Sequence, residues 1–361
     1  MKLALREAAK GIGKTSPNPC VGAVVVRGGK VVGKGYHRKA GTPHAEVNAL
    51  RAAGELARGA TIYVTLEPCN HTGRTPPCTK AILESGIKRV VVGMPDPNPQ
   101  VKGGGCDFLT KKGLSVTSGV LEEECRAINR PFIKHIQTGL PWVILKAGCS
   151  LDGRIAVANG QSGWITNDQS RAEVHRVRNR VDAILIGVGT VLADDPSLTA
   201  RLPNRRGKDP LRVILDTQLR MPPQAKMLKQ RSAAATWIFC GKQYDKARRN
   251  MLEDAGAIVR PVRVTNGRLD LTAVLEILGS QQLTSVLVEG GSKVHGSFLR
   301  ADLIDQALIF LAPILIGSDG IPLIDTMGLQ SVQNARRFKT IRTRRFGDDI
   351  MIDALVNQDF C

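Results

Sequence analysis

The apolar positions of this chain fall into two rhythms. "MKLALREAAKGIG" spaces Leu3, Leu5, Ala8 and Ala9 as a helix does, with Gly11 or Gly13 to end it. That helix starts at Met1 with no capping residue before it, which predicts that a few leading residues are missing from this start. "VGAVVVRGGKVVGKGYH" reads as a hairpin around a Gly-Gly turn. "TPHAEVNALRAAGE" reads as a helix with Thr42 as N-cap and Pro43 at its first position. "ATIYVTLEP" is a buried strand, "PPCTKAILESG" a second helix started by proline, and "RVVVGMPDPNP" a strand ending in a turn. Such alternation predicts a sheet covered by helices. Residues 120–138 hold a helical pattern that Pro131 interrupts, and the turn-like "TGLP" at 138–141 marks a domain boundary. The expected domains are therefore 1–139 and 140–361.

Beyond the boundary the same rhythm resumes. "WVILKAG", "AILIGVG", "LRVILD", "TWIFC", "SVLVEGG" and "ALIFLAPILIG" are continuous apolar runs, as expected of strands buried on both faces. Helical stretches such as "QSRAEVHRVRNR" lie between them. There is no sequence repeat and no low-complexity tract.

At 361 residues, two domains are expected, each able to bury a core. Apolar residues are 42% and charged residues 23%, ordinary for a globular protein. Aromatics are only 4%, so the cores rest on Val, Leu, Ile and Ala. The formal charge of +19 fits either a solvated basic surface or an anionic ligand. The basic residues are dispersed and few aromatics interleave with them, so small phosphates are favoured over nucleic acid. The longest uncharged apolar run, "ALIFLAPILIG", has eleven residues and contains Pro313, so no membrane helix is expected. No secretory leader is recognised and the eight cysteines lack a regular framework, which points to a reducing cytoplasm without disulfides.

One pair of cysteines stands out. In "TLEPCNHTGRTPPCTK", Cys69 follows a buried strand and Cys78 opens a helix, with eight residues between them. His44 and Glu46 open another helix. Helix starts and strand ends lie at one edge of such a layered domain, so His44, Cys69 and Cys78 can converge. One imidazole and two thiolates are zinc ligands, and three protein ligands leave a fourth position for water, which zinc brings towards a pKa of about 7. Glu46, outside the ligand set, is the proton carrier. The pattern His-x-Glu followed by Pro-Cys is that of zinc-dependent base deaminases, except that their second cysteine follows after two residues. A closed structural site with His71 as fourth ligand, or two unligated thiols, are the other readings.

"TSPNPCVGAVVV", "HAEVNAL", "TLEPCNHTGRTPPC" and "DPNPQVKGGG" together resemble the deaminase half of the bifunctional riboflavin-biosynthesis deaminase/reductase family. There the second cysteine follows the longer, proline-ended loop. "KAGCSLDGRIA", "GVGTVLADDPSLTAR" and "VEGGSKVHGSF" resemble the reductase half. The resemblance implies an α/β fold of two three-layer α/β/α domains. The first is a cytidine-deaminase-like zinc-dependent pyrimidine deaminase, the second a dihydrofolate-reductase-like NADPH-dependent reductase. It implies hydrolytic deamination of 2,5-diamino-6-ribosylamino-4-pyrimidinone 5′-phosphate, then reduction of the ribosyl chain to give 5-amino-6-ribitylaminouracil 5′-phosphate. His44, Cys69 and Cys78 match the zinc ligands and Glu46 the proton shuttle. A homo-oligomer is implied, with no nucleic-acid or membrane partner.

Asn18 in "SPNP" fits a substrate hydrogen bond or a turn, and His71 and Arg74 fit base or phosphate contacts or plain loop surface. No Gly-x-Gly-x-x-Gly occurs, so no dinucleotide fingerprint supports a nucleotide site. Instead, "SVLVEGGSKVHGSFL" places Gly290 and Gly291 between a strand and a helix, where backbone can approach a phosphate. The resemblance maps an NADPH site onto Gly291, Ser292, Lys293, Val294, His295, Gly296 and Ser297. It adds Gly148, Trp164, Thr190, Asp194 and Thr217. Its substrate contacts fall on Ser162, Arg178, Leu198, Arg201 and Glu289, where the two guanidinium forks suit a 5′-phosphate. Lys146, at the end of "WVILK", and Asp194 are the candidates for proton donation or cation stabilisation in the reduction.

Overall fold

The computed structural model describes residues 1–71, 76–98, 104–158, 165–203 and 205–356. Ser162, Trp164 and Arg74 lie outside them. The chain forms two compact units, 1–139 and one beginning at Leu140.

The first unit is built on a five-stranded sheet. Its order is Lys30–Tyr36, Gly22–Arg27, Thr61–Leu66, Arg89–Met94 and Ser115–Thr117. The hairpin pairs antiparallel with itself and with Thr61–Leu66, while the last three strands run parallel. Val25, Ile62, Val64, Val90 and Val92 form the core with Ala45, Ala49 and Ile82 from the covering helices.

The helix Ala45–Ala53 lies close on the hairpin because Gly33 and Gly35 have no side chains. A Cβ at Gly35 would stand 2.4 Å from the Ala49 nitrogen. His44, rather than Thr42, is the N-cap; it is extended at φ −71°, ψ 168°. Thr42 instead closes a turn, its hydroxyl donating to the Lys39 carbonyl at 2.7 Å.

Pro131 does not interrupt its helix. Glu122–Thr138 is continuous, with Cys125, Asn129 and Ile133 buried along one face. Tertiary burial of that face outweighs the hydrogen bond the proline removes. Asn129 also clamps the segment before the first strand: its Oδ1 accepts from the Cys20 N–H at 2.8 Å and its Nδ2 donates to the Cys20 carbonyl at 3.1 Å.

The second unit holds a nine-stranded sheet. Its order is Ala257–Val262, Thr236–Gly241, Leu211–Leu215, Ala183–Gly187, Ser285–Val288, Trp142–Ser150, Gln306–Ala312, Asp349–Leu355 and Thr340–Phe346. The first seven run parallel, and the last two form an antiparallel hairpin along one edge. All six strands expected from the apolar runs are present. Within Ala183–Gly187, Ala183 and Leu185 join the buried cluster on one face, while Ile184 and Ile186 join the cluster on the other. That division accounts for runs without polar alternation. The strand that starts at Trp142 continues to Ser150, so Lys146 sits within it rather than at its end. No disulfide joins the described cysteines, and no helix among the described residues is long and apolar enough to cross a membrane.

Candidate functional sites

In the first unit, three local features converge. His44 caps the helix Ala45–Ala53, Cys69 follows the strand Thr61–Leu66, and Cys78 is the first residue of the helix Cys78–Glu84. Their ligating atoms lie within 4.8 Å of one another. His44 Nδ1 is 3.2 Å from Cys78 Sγ and 3.6 Å from Cys69 Sγ. The Cys78 N–H donates to Cys69 Sγ at 3.3 Å, as expected where a thiolate faces a helix N-terminus.

Cys69 is held down at about 4, chiefly by the Cys78 thiol that donates to it and by His44, against the effect of burial. Cys78 is pushed up by that same bond and by its burial. A nitrogen, a thiolate and a thiol that a metal would deprotonate fit, at this spacing, a soft divalent cation. His71 is exposed and does not join the group.

Glu46 is 3% exposed, and burial followed by the charge at Cys69 pushes its carboxyl up to about 7. A carboxyl near neutrality can both take and give a proton.

Three further residues support this centre without a strong sequence signal. His37 is buried edge-on against the His44 ring, with centroids 5.4 Å apart. Asn18 Nδ2 donates to His37 Nε2 at 3.0 Å, and His37 Nδ1 faces the Pro43 carbonyl at 3.4 Å. Asn18 is thus tied to the ring that flanks His44. Glu67 accepts from the Cys106 N–H at 2.9 Å and the Asp96 N–H at 3.3 Å, fixing the loop that leads to Cys69.

In the second unit, Thr190, Thr217, Glu289 and Gly291 follow the C-terminal ends of three neighbouring parallel strands, where open α/β sheets bind ligands. Gly291 is the N-cap of the helix Ser292–Arg300 at φ +64°, a conformation that L side chains rarely adopt. The Thr190 hydroxyl lies 3.4 Å from where a Cβ on Gly291 would be. Ser292 Oγ is buried and has no partner among the described residues. A helix N-terminus, a side-chain-free approach and an orphaned hydroxyl fit a phosphate-bearing cofactor.

Beside this cradle is a charged cluster. Glu289, its side chain 6% exposed, accepts from Arg178 Nε and Nη2 at 2.7 Å each, and Lys146 Nζ stands 3.8 Å from it. Burial pushes the Glu289 carboxyl up, but Arg178 and Lys146 outweigh it and hold it at about 2. Burial also pulls the Lys146 ammonium below its ordinary value, with Glu289 opposing. The Arg178 fork thus faces Glu289 rather than solvent, and its Nη1 donates to the Thr199 carbonyl at 3.2 Å.

Leu198 is buried at φ +50°, Arg201 is exposed, and Asp194 is exposed at the last turn of the helix Val188–Asp194. Gly148 faces Thr166, and the Thr217 carbonyl accepts from the Gly241 N–H at 3.0 Å. His295 is buried, its Nδ1 3.1 Å from the Leu323 carbonyl. His175, missed from sequence, stands one turn before Arg178 and faces Arg201. Its i, i+3 spacing from Arg178 is the one signal that would have found it.

Comparison with known proteins bears on both units. Residues 141–352 match the family of the RibD C-terminal domain, and residues 1–94 match the cytidine and deoxycytidylate deaminase zinc-binding region. The chain is 44% identical over 356 residues to the riboflavin biosynthesis protein RibD of Bacillus amyloliquefaciens, covering 98% of this chain and 95% of that one. The solved structure of Acinetobacter baumannii RibD superposes with a TM-score of 0.88 at 38% identity, covering 99% of this chain and 98% of that one. A structure from Thermotoga maritima, a diaminohydroxyphosphoribosylaminopyrimidine deaminase/5-amino-6-(5-phosphoribosylamino)uracil reductase, superposes with a TM-score of 0.86 at 37% identity, covering 99% and 97%. The expected mixed α/β architecture, deaminase-like first and reductase-like second, is borne out.

Proposed function

The chain belongs to the RibD family of bifunctional riboflavin-biosynthesis enzymes, and from that premise we propose how its own residues divide the work. It is a deaminase and a reductase in one chain. The deamination is assigned to the first unit and the reduction to the second. The substrate proposed for the first is 2,5-diamino-6-ribosylamino-4-pyrimidinone 5′-phosphate. The deaminated product is proposed as the substrate of the second.

In the first unit, His44, Cys69 and Cys78 would hold zinc, whose contribution is a Lewis-acidic centre for activating water. Glu46 takes a proton from the attacking water and passes it to the departing amino group, so that oxygen replaces nitrogen at C2 and ammonia leaves. Burial suits Glu46 to this, because a carboxyl near 7 exchanges protons at neutral pH. The observation that carries the assignment is the approach of three donor atoms to within 4.8 Å beside that buried carboxyl.

In the second unit, Gly291, Ser292 and Thr190 would hold the phosphates of NADPH, which supplies a hydride for C1′ of the ribosyl chain. Lys146, with its ammonium pKa lowered by burial, donates the proton that opens the ribosylamine ring to the imine. Glu289 keeps Lys146 oriented, and Arg178 keeps Glu289 ionised. A small phosphorylated pyrimidine is the proposed partner, and a homo-oligomer in the cytoplasm the proposed state.

A coupled assay tests this. With the diaminopyrimidine nucleotide and NADPH, ammonia release should precede NADPH oxidation. A zinc chelator should abolish both, yet leave NADPH oxidation intact when the deaminated nucleotide is supplied. Ammonia release that persists in fully zinc-depleted enzyme would overturn the zinc assignment.

A further inference from the structure

Two arginines of the second unit suit a substrate 5′-phosphate, but they are not in equivalent states. Arg178 commits Nε and Nη2 to Glu289 and Nη1 to the Thr199 carbonyl. Arg201 commits only one edge of its fork. Its Nε and Nη2 each lie 3.3 Å from His175 Nε2, and the opposite edge meets no partner among the described residues. That edge, Nη1 with the outer hydrogen of Nη2, is the one a phosphate can grip with two oxygens.

An arginine offers donors and no acceptor, so the imidazole nitrogen that faces it must carry a lone pair. Nδ1 lies between two backbone groups, 3.1 Å from the Thr199 carbonyl and 3.2 Å from the Arg201 nitrogen; with Nε2 accepting, the ring proton is on Nδ1 and goes to Thr199, so the Arg201 N–H approach is a close contact and not a second hydrogen bond. Thr199 is also the carbonyl that Arg178 grips, so one backbone oxygen ties His175 to the chain segment that carries Arg201. Burial, then Arg178 and Arg201, hold the His175 pKa down at about 4, so the ring is neutral at neutral pH. An exposed arginine on a short strand otherwise samples many rotamers, and fixing one in advance removes that ordering cost from binding.

We propose that His175 is a positioning residue for the reduction: it holds the Arg201 guanidinium as the anchor of the substrate's 5′-phosphate. This rests on the reading of the second unit as a reductase of a phosphorylated ribosylamine. His175 touches neither cofactor nor the reacting carbon; it acts through Arg201.

The test compares two substrates, the deaminated 5′-phosphate and its dephosphorylated nucleoside, in the full chain with NADPH. His175→Phe should raise KM for the phosphorylated substrate roughly tenfold, the loss of about one hydrogen bond to a charged group, with kcat within roughly twofold. On the nucleoside it should change nothing, and Arg201→Ala should give the same split. His175→Gln, whose side-chain carbonyl can accept from the guanidinium, should restore most of the KM. Equal losses on both substrates, in the Phe and Gln variants alike, would mean a structural role and overturn the proposal. So would a KM for the phosphorylated substrate unchanged in His175→Phe. An unmodified chain that oxidises NADPH with neither substrate would instead remove the reductase reading, and the proposal with it.

Discussion

Arg178 and Glu289, 111 residues apart, meet fork to fork: Nε donates to Oε1 and Nη2 to Oε2, both at 2.7 Å. The pair is nearly enclosed, with side chains 15% and 6% exposed. Removing one partner strands the other. Arg178→Ala should therefore destabilise the second unit by about 3–5 kcal/mol, because Lys146 at 3.8 Å cannot replace two direct bonds. Adding Glu289→Leu should recover part of that loss. All three tryptophans lie beyond residue 140, so urea unfolding followed by tryptophan fluorescence reports this unit. A loss below about 1 kcal/mol would mean the pair behaves as a solvated one.

Acid should weaken the same unit in two stages. Burial, the leading cause, holds His295 down at about 4, below an ordinary value near 6.5. Between those values the unfolded chain binds the extra proton, so stability is full above about pH 6.5 and falls as pH drops towards 4. For His295 the fall amounts to about 3 kcal/mol, and half-buried His175 acts in the same direction. Glu289 has the opposite chemistry but the same sign. Its folded value near 2 contributes stability that is present above the unfolded value near 4.5 and lost as pH falls towards 2. Urea midpoints measured from pH 7.5 to 4 should decline, and His295→Gln should flatten that decline. Equal slopes in the two proteins would show that His295 does not titrate on unfolding.

Glu46→Gln preserves shape and removes the proton carrier. Zinc content should stay at about one ion per chain while ammonia release falls roughly 10²- to 10⁴-fold. Reduction of supplied deaminated nucleotide should be unchanged. Deaminase turnover retained in this variant would defeat the role given to Glu46.

Cys69→Ser removes the sulfur that already carries negative charge in the site. Both zinc and deamination should be lost together, and metal analysis of the purified variant is the check. A variant that keeps its ion would place the cation elsewhere.

Gly35→Ala tests how the first site is held. The added methyl would meet the Ala49 nitrogen at 2.4 Å and the Ala45 carbonyl oxygen at 2.5 Å, both backbone atoms that cannot swing aside. The helix that follows His44 must move outward, so stability should fall by about 1–3 kcal/mol and zinc should be stripped at lower chelator concentration. Wild-type zinc retention would show that the helix position and the site are uncoupled.

Much of this was legible in the residues. The runs "AILI" and "VLV" read as parts of two-faced strands because every position is apolar, and each lies in such a strand. The edge strand Thr340–Phe346 was not legible, because its sequence "TIRTRRF" is mostly arginine and threonine and neither alternates nor runs apolar. Charged edges of that kind are protected from pairing, and the protection hides them from a hydrophobic pattern. Pro131 misled for the reverse reason: a local rule for ending helices met a buried face strong enough to override it.

By itself the sequence determined the chemistry available: an imidazole, two thiols and a carboxyl at positions that helix starts and strand ends bring to one edge, and a Gly-Gly turn before a helix. These are consequences of local propensity and spacing, which are short-range. The tertiary structure alone decided which polar groups meet across the chain. It joined Glu289 to Arg178, turned His175 towards Arg201, and set His37 between Asn18 and His44. Partners far apart in sequence leave no periodic trace, because their meeting depends on how packed layers bring distant backbone together.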